Sequence, residues 1–129
     1  MLLVDTSVWI EVFRKASRLR LDHVVDFDEV ATCLPVVQEV VQGFRDERAF
    51  QTARDAMYAL PMVASPLTPP VFDLAIDLYR AARRSGFTIR SGVDCLIAAC
   101  AIRHSLTVLH RDRDFDLLAK VSALESRRL

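Results

Sequence analysis

Apolar and polar positions follow two rhythms along this chain, and the changes from one to the other mark its elements. Leu2-Leu3-Val4 is a short unbroken apolar run, as a strand buried on both faces requires, and it stops at Asp5-Thr6-Ser7, three residues that favour helix N-termini. A helix is expected from there to about Phe13. The basic stretch Arg14 to Arg20 reads as an exposed turn, followed by a short helix near Leu21 to Phe27 and a strand near Val30 to Cys33. Pro35 suits the first turn of a helix that carries Val36, Val37, Val40, Val41 and Phe44 on its apolar face, and Gly43 weakens that helix late. Asp46 to Leu60 is a further helix, with Phe50, Ala53, Met57 and Leu60 at helical spacing and Pro61 as its stop. Met62-Val63-Ala64 predicts a third strand.

Pro66, Pro69 and Pro70 lead into an amphipathic helix in which Phe72, Ala75, Ile76, Tyr79 and Ala82 form the apolar face, with Gly86 as its C-terminal stop. Ser91 to His104 is a very apolar helix, Leu106 to Leu109 a fourth strand, and Asp112 to about Val121 a last helix. Ser122 to Leu129 fits either a short fifth strand or a loose tail. Strands alternating with helices predict an α/β fold, a three-layer α/β/α sandwich around a mainly parallel sheet of four or five strands. With 129 residues, one domain spanning 1–129 is the expectation.

Composition changes this picture little. Apolar residues make up 52% and charged residues 26% of the chain, enough of the first to bury a core and of the second to keep its surface wet. Met1 to Val4 is too short for a signal peptide, and no run approaches a membrane span. Cys33, Cys95 and Cys100 form no C-x-x-C pair, so neither a disulfide framework nor a zinc knuckle is indicated, and a reducing cytoplasm is the expected location. The net charge of zero argues against a bulk positive field for nucleic acid. Most of the basic residues are nonetheless Arg, the side chain that grips phosphate with two parallel hydrogen bonds.

The candidate chemistry lies in acids. In open parallel sheets the working residues gather at the carboxyl ends of the strands, and two predicted strands run into Asp5 and, past His110-Arg111, into Asp112. Asp5 and Asp112 also fit as helix N-caps, and Ser91-Gly92-Val93-Asp94 reads as an acidic capping box. Glu39 fits no such explanation: it lies beyond the first turn of its helix, among Val36, Val37, Val40 and Val41, with a partly exposed polar stripe as the alternative. Clustered carboxylates repel one another unless a divalent cation neutralises them. An all-carboxylate set selects Mg²⁺ or Mn²⁺ over zinc, for which His23, His104 and His110 have no suitable spacing.

Four segments carry a resemblance: Val4-Asp5-Thr6-Ser7-Val8-Trp9, Gln38-Glu39-Val40, Val93-Asp94-Cys95-Leu96-Ile97-Ala98-Ala99 and Arg111-Asp112-Arg113-Asp114-Phe115. In this order and at these separations they resemble the PIN domain over essentially the whole chain, and within it the toxin ribonucleases called VapC. The resemblance implies that Asp5, Glu39, Asp94 and Asp112 surround the metal, with Asp114 as a further ligand or a partner of a bound water, and Thr6 or Ser7 supplying a hydroxyl. Asp116 is read as a solvated helix residue. His110 departs from the Thr or Ser of many relatives, which leaves open whether it meets substrate or turns the chain.

The implied activity is hydrolysis of RNA phosphodiesters by metal-activated water, giving a 5′-phosphate and a 3′-hydroxyl. Arg14, Lys15, Arg18, Arg90, Arg111 and Arg113 are candidates to hold flanking phosphates, against the plainer reading of a solvated charged face. A VapB-like antitoxin and a homodimer are the implied partners, with Val36 to Leu60 as one contact surface unless it is core. Three competing classes are weaker. A haloacid-dehalogenase-type phosphatase needs an acid two residues after Asp5, where this chain has Ser7, and a phospho-receiver lacks its lysine. An inactive interaction domain of the same fold would have no reason to keep all four acids.

Overall fold

The computed structural model describes residues 1–14 and 19–129. The expectations for Lys15 and Arg18, and for most of the basic turn, lie outside the described residues. The elements run β1 (Leu2–Val4), α1 (Thr6–Phe13), β2 (Val30–Cys33), α2 (Leu34–Val41), α3 (Glu47–Tyr58), β3 (Met62–Val63), α4 (Pro69–Arg84), α5 (Gly92–Arg103), β4 (Thr107–His110), α6 (Arg113–Lys120) and β5 (Ser126–Arg128). The five strands form one sheet in the order β3-β2-β1-β4-β5, and all four pairings are parallel. The C-terminal segment is therefore a strand, paired to β4 with Leu109 opposite Arg127.

The first strand is the centre of the construction. Leu3 and Val4 are fully buried and lie opposite Val108 and Leu109 of β4. Their carbonyl ends therefore finish side by side, and Asp5 donates its backbone N–H to the Leu109 carbonyl at 2.9 Å. Burial on both faces explains the unbroken apolar runs: every residue of β2 is buried, and so are Val108, Leu109 and His110 of β4.

Three expectations change. The segment Leu21 to Phe27 is not one helix but two 3₁₀ turns, Leu21–His23 and Phe27–Glu29, the second capped by the Asp26 carboxylate on the Asp28 N–H at 2.9 Å. The buried stripe of α4 is Val71, Ala75, Leu78 and Ala82, so Phe72 and Ile76 face outward at 46% and 55% exposure. Two apolar stripes one position apart both satisfy helical spacing, and the sequence alone does not choose between them. The third concerns Val36 to Leu60, where the alternative of core holds for Val36, Val37, Val40, Val41, Ala53 and Met57, all buried, while Tyr58 is exposed. Gly86, at φ +82°, does end α4, with the Phe87 N–H bonded to the Ala82 carbonyl at 2.9 Å. The three cysteines are free and buried.

Candidate metal centre

Four elements bring carboxylates to one rim of the sheet. Asp5 follows β1, Glu39 projects from α2, Asp94 sits in the first turn of α5, and Asp112 and Asp114 open α6 just past β4. Ligand oxygens of Asp94, Asp112 and Asp114 all lie within 4.8 Å of one another. Asp5 and Asp112 are close enough to raise the proton affinity of both Asp94 and Glu39.

Each acid is held by a specific partner. Asp5 is indeed the N-cap of α1: its Oδ2 accepts from the Ser7 N–H at 3.0 Å and the Ser7 hydroxyl at 2.6 Å. Its Oδ1 is buried and has no hydrogen-bond partner among the described residues. Capping and ring membership thus use different oxygens of one carboxylate. Ser7 does more than cap, since its Oγ also accepts the Arg111 N–H at 3.0 Å and so ties the β1 end to the turn carrying Asp112. Thr6 donates its hydroxyl to Glu39 Oε1 at 2.8 Å and fixes that side chain from the neighbouring helix. Asp112 caps α6 through the Asp114 N–H at 2.9 Å. The capping box expected at Ser91 and Asp94 does not form: Ser91 makes no side-chain cap bond, and Asp94 turns toward Asp114.

Burial sets the electrostatics. Asp5, Asp94 and Asp114 are all buried, and Glu39 is half-buried. Desolvation is the main force pushing the Asp94 carboxyl up to about 8, with the charges of Asp5 and Asp112 and a shared hydrogen bond with Asp114 adding to it. Desolvation also raises Asp5 and Glu39, opposed at Asp5 by its bonds to Ser7 and at Glu39 by the Thr6 hydroxyl. Buried acids this crowded hold protons that a multivalent cation would replace. The donor chemistry fits such an ion: all candidate ligands are hard oxygens, and Asp5 Oδ1 and Asp114 Oδ1 are buried oxygens without a hydrogen bond among the described residues.

The arginines separate into two groups. Arg111 and Arg113 are exposed beside the ring, and Arg111 also lies 3.8 Å from Glu11. Arg14, exposed at the end of α1, pairs with Glu11 at 3.3 Å. Arg90 instead reaches into the ring, donating from its guanidinium to Asp112 at 3.1 Å and from its backbone N–H to Asp114 at 3.0 Å. Reading Arg90 only as a phosphate holder misses this contact; its position four residues before Asp94 was the available signal.

His110 turns the chain. It is fully buried at the end of β4, packs on Phe115 with ring centroids 5.3 Å apart, and accepts the Asp112 N–H on Nδ1 at 3.2 Å. Nδ1 is therefore the unprotonated nitrogen of a neutral imidazole, a form that burial favours. Its Nε2 lies 3.4 Å from Asp116 Oδ1, and Asp116 in turn binds the Arg128 guanidinium of β5. Asp116 is thus half-exposed and joined to β5, not merely solvated.

Comparison with known proteins agrees with this architecture. The PIN domain model matches residues 2–121. The chain is 37% identical to ribonuclease VapC11 of Mycobacterium tuberculosis (strain H37Rv) over 131 residues, covering 98% of this chain and 97% of that protein. Among solved structures, the DNA-bound VapBC of Salmonella typhimurium superposes with a TM-score of 0.77 at 13% identity, over 98% of this chain and 96% of that one. Mycobacterium tuberculosis VapC20, described as a sarcin-ricin loop cleaving toxin, superposes with a TM-score of 0.68 at 20% identity, over 97% and 99%. With a matching family model over nearly its whole length and a full-length relative at this identity, the chain belongs to the PIN domain family and, within it, to the VapC ribonucleases.

Proposed function

We propose that this chain is the toxin of a type II toxin–antitoxin pair, an endoribonuclease that hydrolyses RNA phosphodiesters at the ring of Asp5, Glu39, Asp94 and Asp112. The observation that carries the reading is the convergence of these acids, from four separate elements, on one desolvated rim. Asp94, Asp112 and Asp114, with the unpartnered Oδ1 of Asp5, are the oxygens that would hold the ion. Mg²⁺ is the ion proposed, with Mn²⁺ able to replace it, because both are hard cations that keep waters for chemistry. When bound, such a cation lowers the pKa of a ligated water and neutralises charge on the phosphoryl oxygens.

The protein's own groups divide the remaining work. Glu39 is the proton acceptor: its half-buried carboxyl has a raised proton affinity, and Thr6 occupies Oε1, which leaves Oε2 for a water. Asp5 is locked by Ser7 and keeps its free oxygen directed without needing to reorganise. Arg111 and Arg113 beside the ring, and Arg14 in the groove it lines with Glu39, hold phosphates flanking the cut. A VapB-like antitoxin is the proposed partner, supported by the VapBC assembly among the structural relatives. A homodimer is proposed through the groove of about 530 Å³ between α4 and α5, which exposes Phe72 and Ile76. The buried free thiols suit a cytoplasmic protein, and among the described residues no helix is long and apolar enough to cross a membrane.

The test is cleavage of total RNA by purified protein with Mg²⁺ or Mn²⁺, with chelator, and by Asp5→Asn and Asp94→Asn. Cutting by the wild type alone, abolished by chelator, is the expected result. Cleavage that survives both chelation and substitution refutes the mechanism. Release of phosphate from a small phosphomonoester without RNA cleavage replaces it with a phosphatase.

A further inference from the structure

Arg90 is the one basic residue among those described whose side chain is hydrogen-bonded into the acid ring, and it makes two kinds of contact there. Its guanidinium is 59% exposed and reaches Asp112 Oδ1 at 3.1 Å and Asp114 Oδ1 at 3.7 Å. Its backbone N–H separately donates to Asp114 Oδ2 at 3.0 Å. The second contact belongs to the main chain, so it holds the segment before α5 in place whatever the side chain does. The first is charge on charge: a guanidinium at two of the three carboxylates whose oxygens cluster within 4.8 Å. A monovalent, solvent-accessible cation on these oxygens cannot share them at full strength with a divalent one, because the two positive charges repel at that distance.

We infer that the Arg90 guanidinium is the counter-cation of the metal-free ring, that it competes with the divalent ion for Asp112 and Asp114, and that metal loading frees it to grip an RNA phosphate beside the scissile bond. The competition follows from the ring geometry alone; the phosphate role rests on the ribonuclease reading. The backbone bond to Asp114 makes the exchange local. The side chain swings about its own torsions while Ser91 and the start of α5 stay where they are. The released guanidinium remains at the mouth of the ring, where its planar pair of donors matches two phosphoryl oxygens. One residue would thus limit premature metal uptake and, once the metal is in, add positive charge where the substrate is negative.

Three measurements on the full chain separate these claims. Calorimetric titration with Mn²⁺ in the absence of RNA compares wild type, Arg90→Met and Arg90→Lys. The Met variant, which keeps the length and the main-chain bond, is expected to bind Mn²⁺ about fivefold more tightly, a modest factor because the guanidinium is solvent-screened. The Lys variant, still charged, is expected to stay near wild type. Equal or weaker Mn²⁺ binding by the Met variant overturns the competition, since a guanidinium that only orients the carboxylates would be missed when removed. Should the Met variant prove unfolded, ¹⁵N spectra of the wild-type arginine side chains decide. The Arg90 Nε–H signal must shift and lose protection as Mg²⁺ saturates, and an unchanged signal overturns the inference. RNA binding is then measured with Ca²⁺ and an uncleavable RNA. The Met variant is expected to lose about tenfold in affinity and roughly one unit of salt-dependence slope. Tighter Mn²⁺ binding without any RNA binding by the wild type leaves the competition standing and removes the ribonuclease reading instead.

Discussion

Replacing Asp94 by Asn takes one titrating proton out of the ring while keeping a planar side chain that can still donate to Asp114. In the wild type this carboxyl is pushed up to about 8, whereas in the unfolded chain it returns to an ordinary value near 3.9. The sign follows directly. A raised acid contributes stability that is fully present below about pH 4 and is lost as the pH climbs toward 8, because folding must then hold a proton that the unfolded chain has released. Each pH unit in that window costs about 1.4 kcal/mol, so from pH 5 to pH 8 the upper bound is about 4 kcal/mol. Relaxation of the site and entry of water reduce this to roughly 2 kcal/mol. For a chain of this size that is about 6–10 °C in the unfolding midpoint.

The assay is thermal unfolding by circular dichroism in chelator at pH 5, 6.5 and 8. The Asp94→Asn protein should gain on the wild type steadily as the pH rises, by the stated amount over the whole range. Saturating Mg²⁺ should then reverse the order at pH 8, since the wild type gains RT ln(1 + [L]/Kd) and the variant gains little. A stability difference that does not change with pH, or a variant less stable than the wild type at pH 8 without metal, refutes the reasoning.

Glu39→Gln should lower the cleavage rate by about 100-fold or more, as expected for a lost proton acceptor; Thr6→Val, which only frees the Glu39 side chain, should cost about tenfold and leave the metal Kd within a factor of three in calorimetry. Asp5→Asn should abolish detectable RNA cleavage while unfolding within about 1 kcal/mol of the wild type near neutral pH, because an amide oxygen can still accept from Ser7. His110→Ala should destabilise the fold by about 2–4 kcal/mol in denaturant titration, since it empties a buried site against Phe115 and strips the Asp112 N–H of its acceptor. Arg128→Ala should change stability by less than about 1 kcal/mol, because its bond to Asp116 joins two half-exposed side chains.

Much of this design is legible in the residues themselves, and the gaps have identifiable causes. Buried parallel strands are near-continuously apolar, so Leu2–Val4 announces itself, and Val30–Cys33 does so with Thr32 as its one polar residue. Glu39 stands out because a carboxylate among valines has no local explanation. Asp94 does not stand out, because Ser91 three residues earlier offers a capping alternative that only the folded geometry removes. The outward turn of Phe72 and Ile76 escapes pattern reading because a helix of small and large apolar residues has two stripes of similar strength. Contacts between distant segments, such as Ser7 with Arg111 or Arg90 with Asp112, leave no periodic trace in the sequence. His110 illustrates the same limit, since a histidine beside an acid reads equally well as a reactive group or a turn-former until its burial is known.

The scattering of the ring over the chain also bears on when the molecule becomes dangerous. Synthesis releases Asp5 and Glu39 first, Asp94 next, and Asp112 with Asp114 last of the ring. The central strand β1 meanwhile waits for β4, its partner on one side, until residues 107–110 have emerged. A ribosome-bound intermediate that stops short of this point has acids but no cradle, and Ser7 has no Arg111 amide to pull the two halves together. A nuclease translated beside ribosomal RNA thereby lacks a complete ring until its last two acids have emerged, by the order of its residues alone.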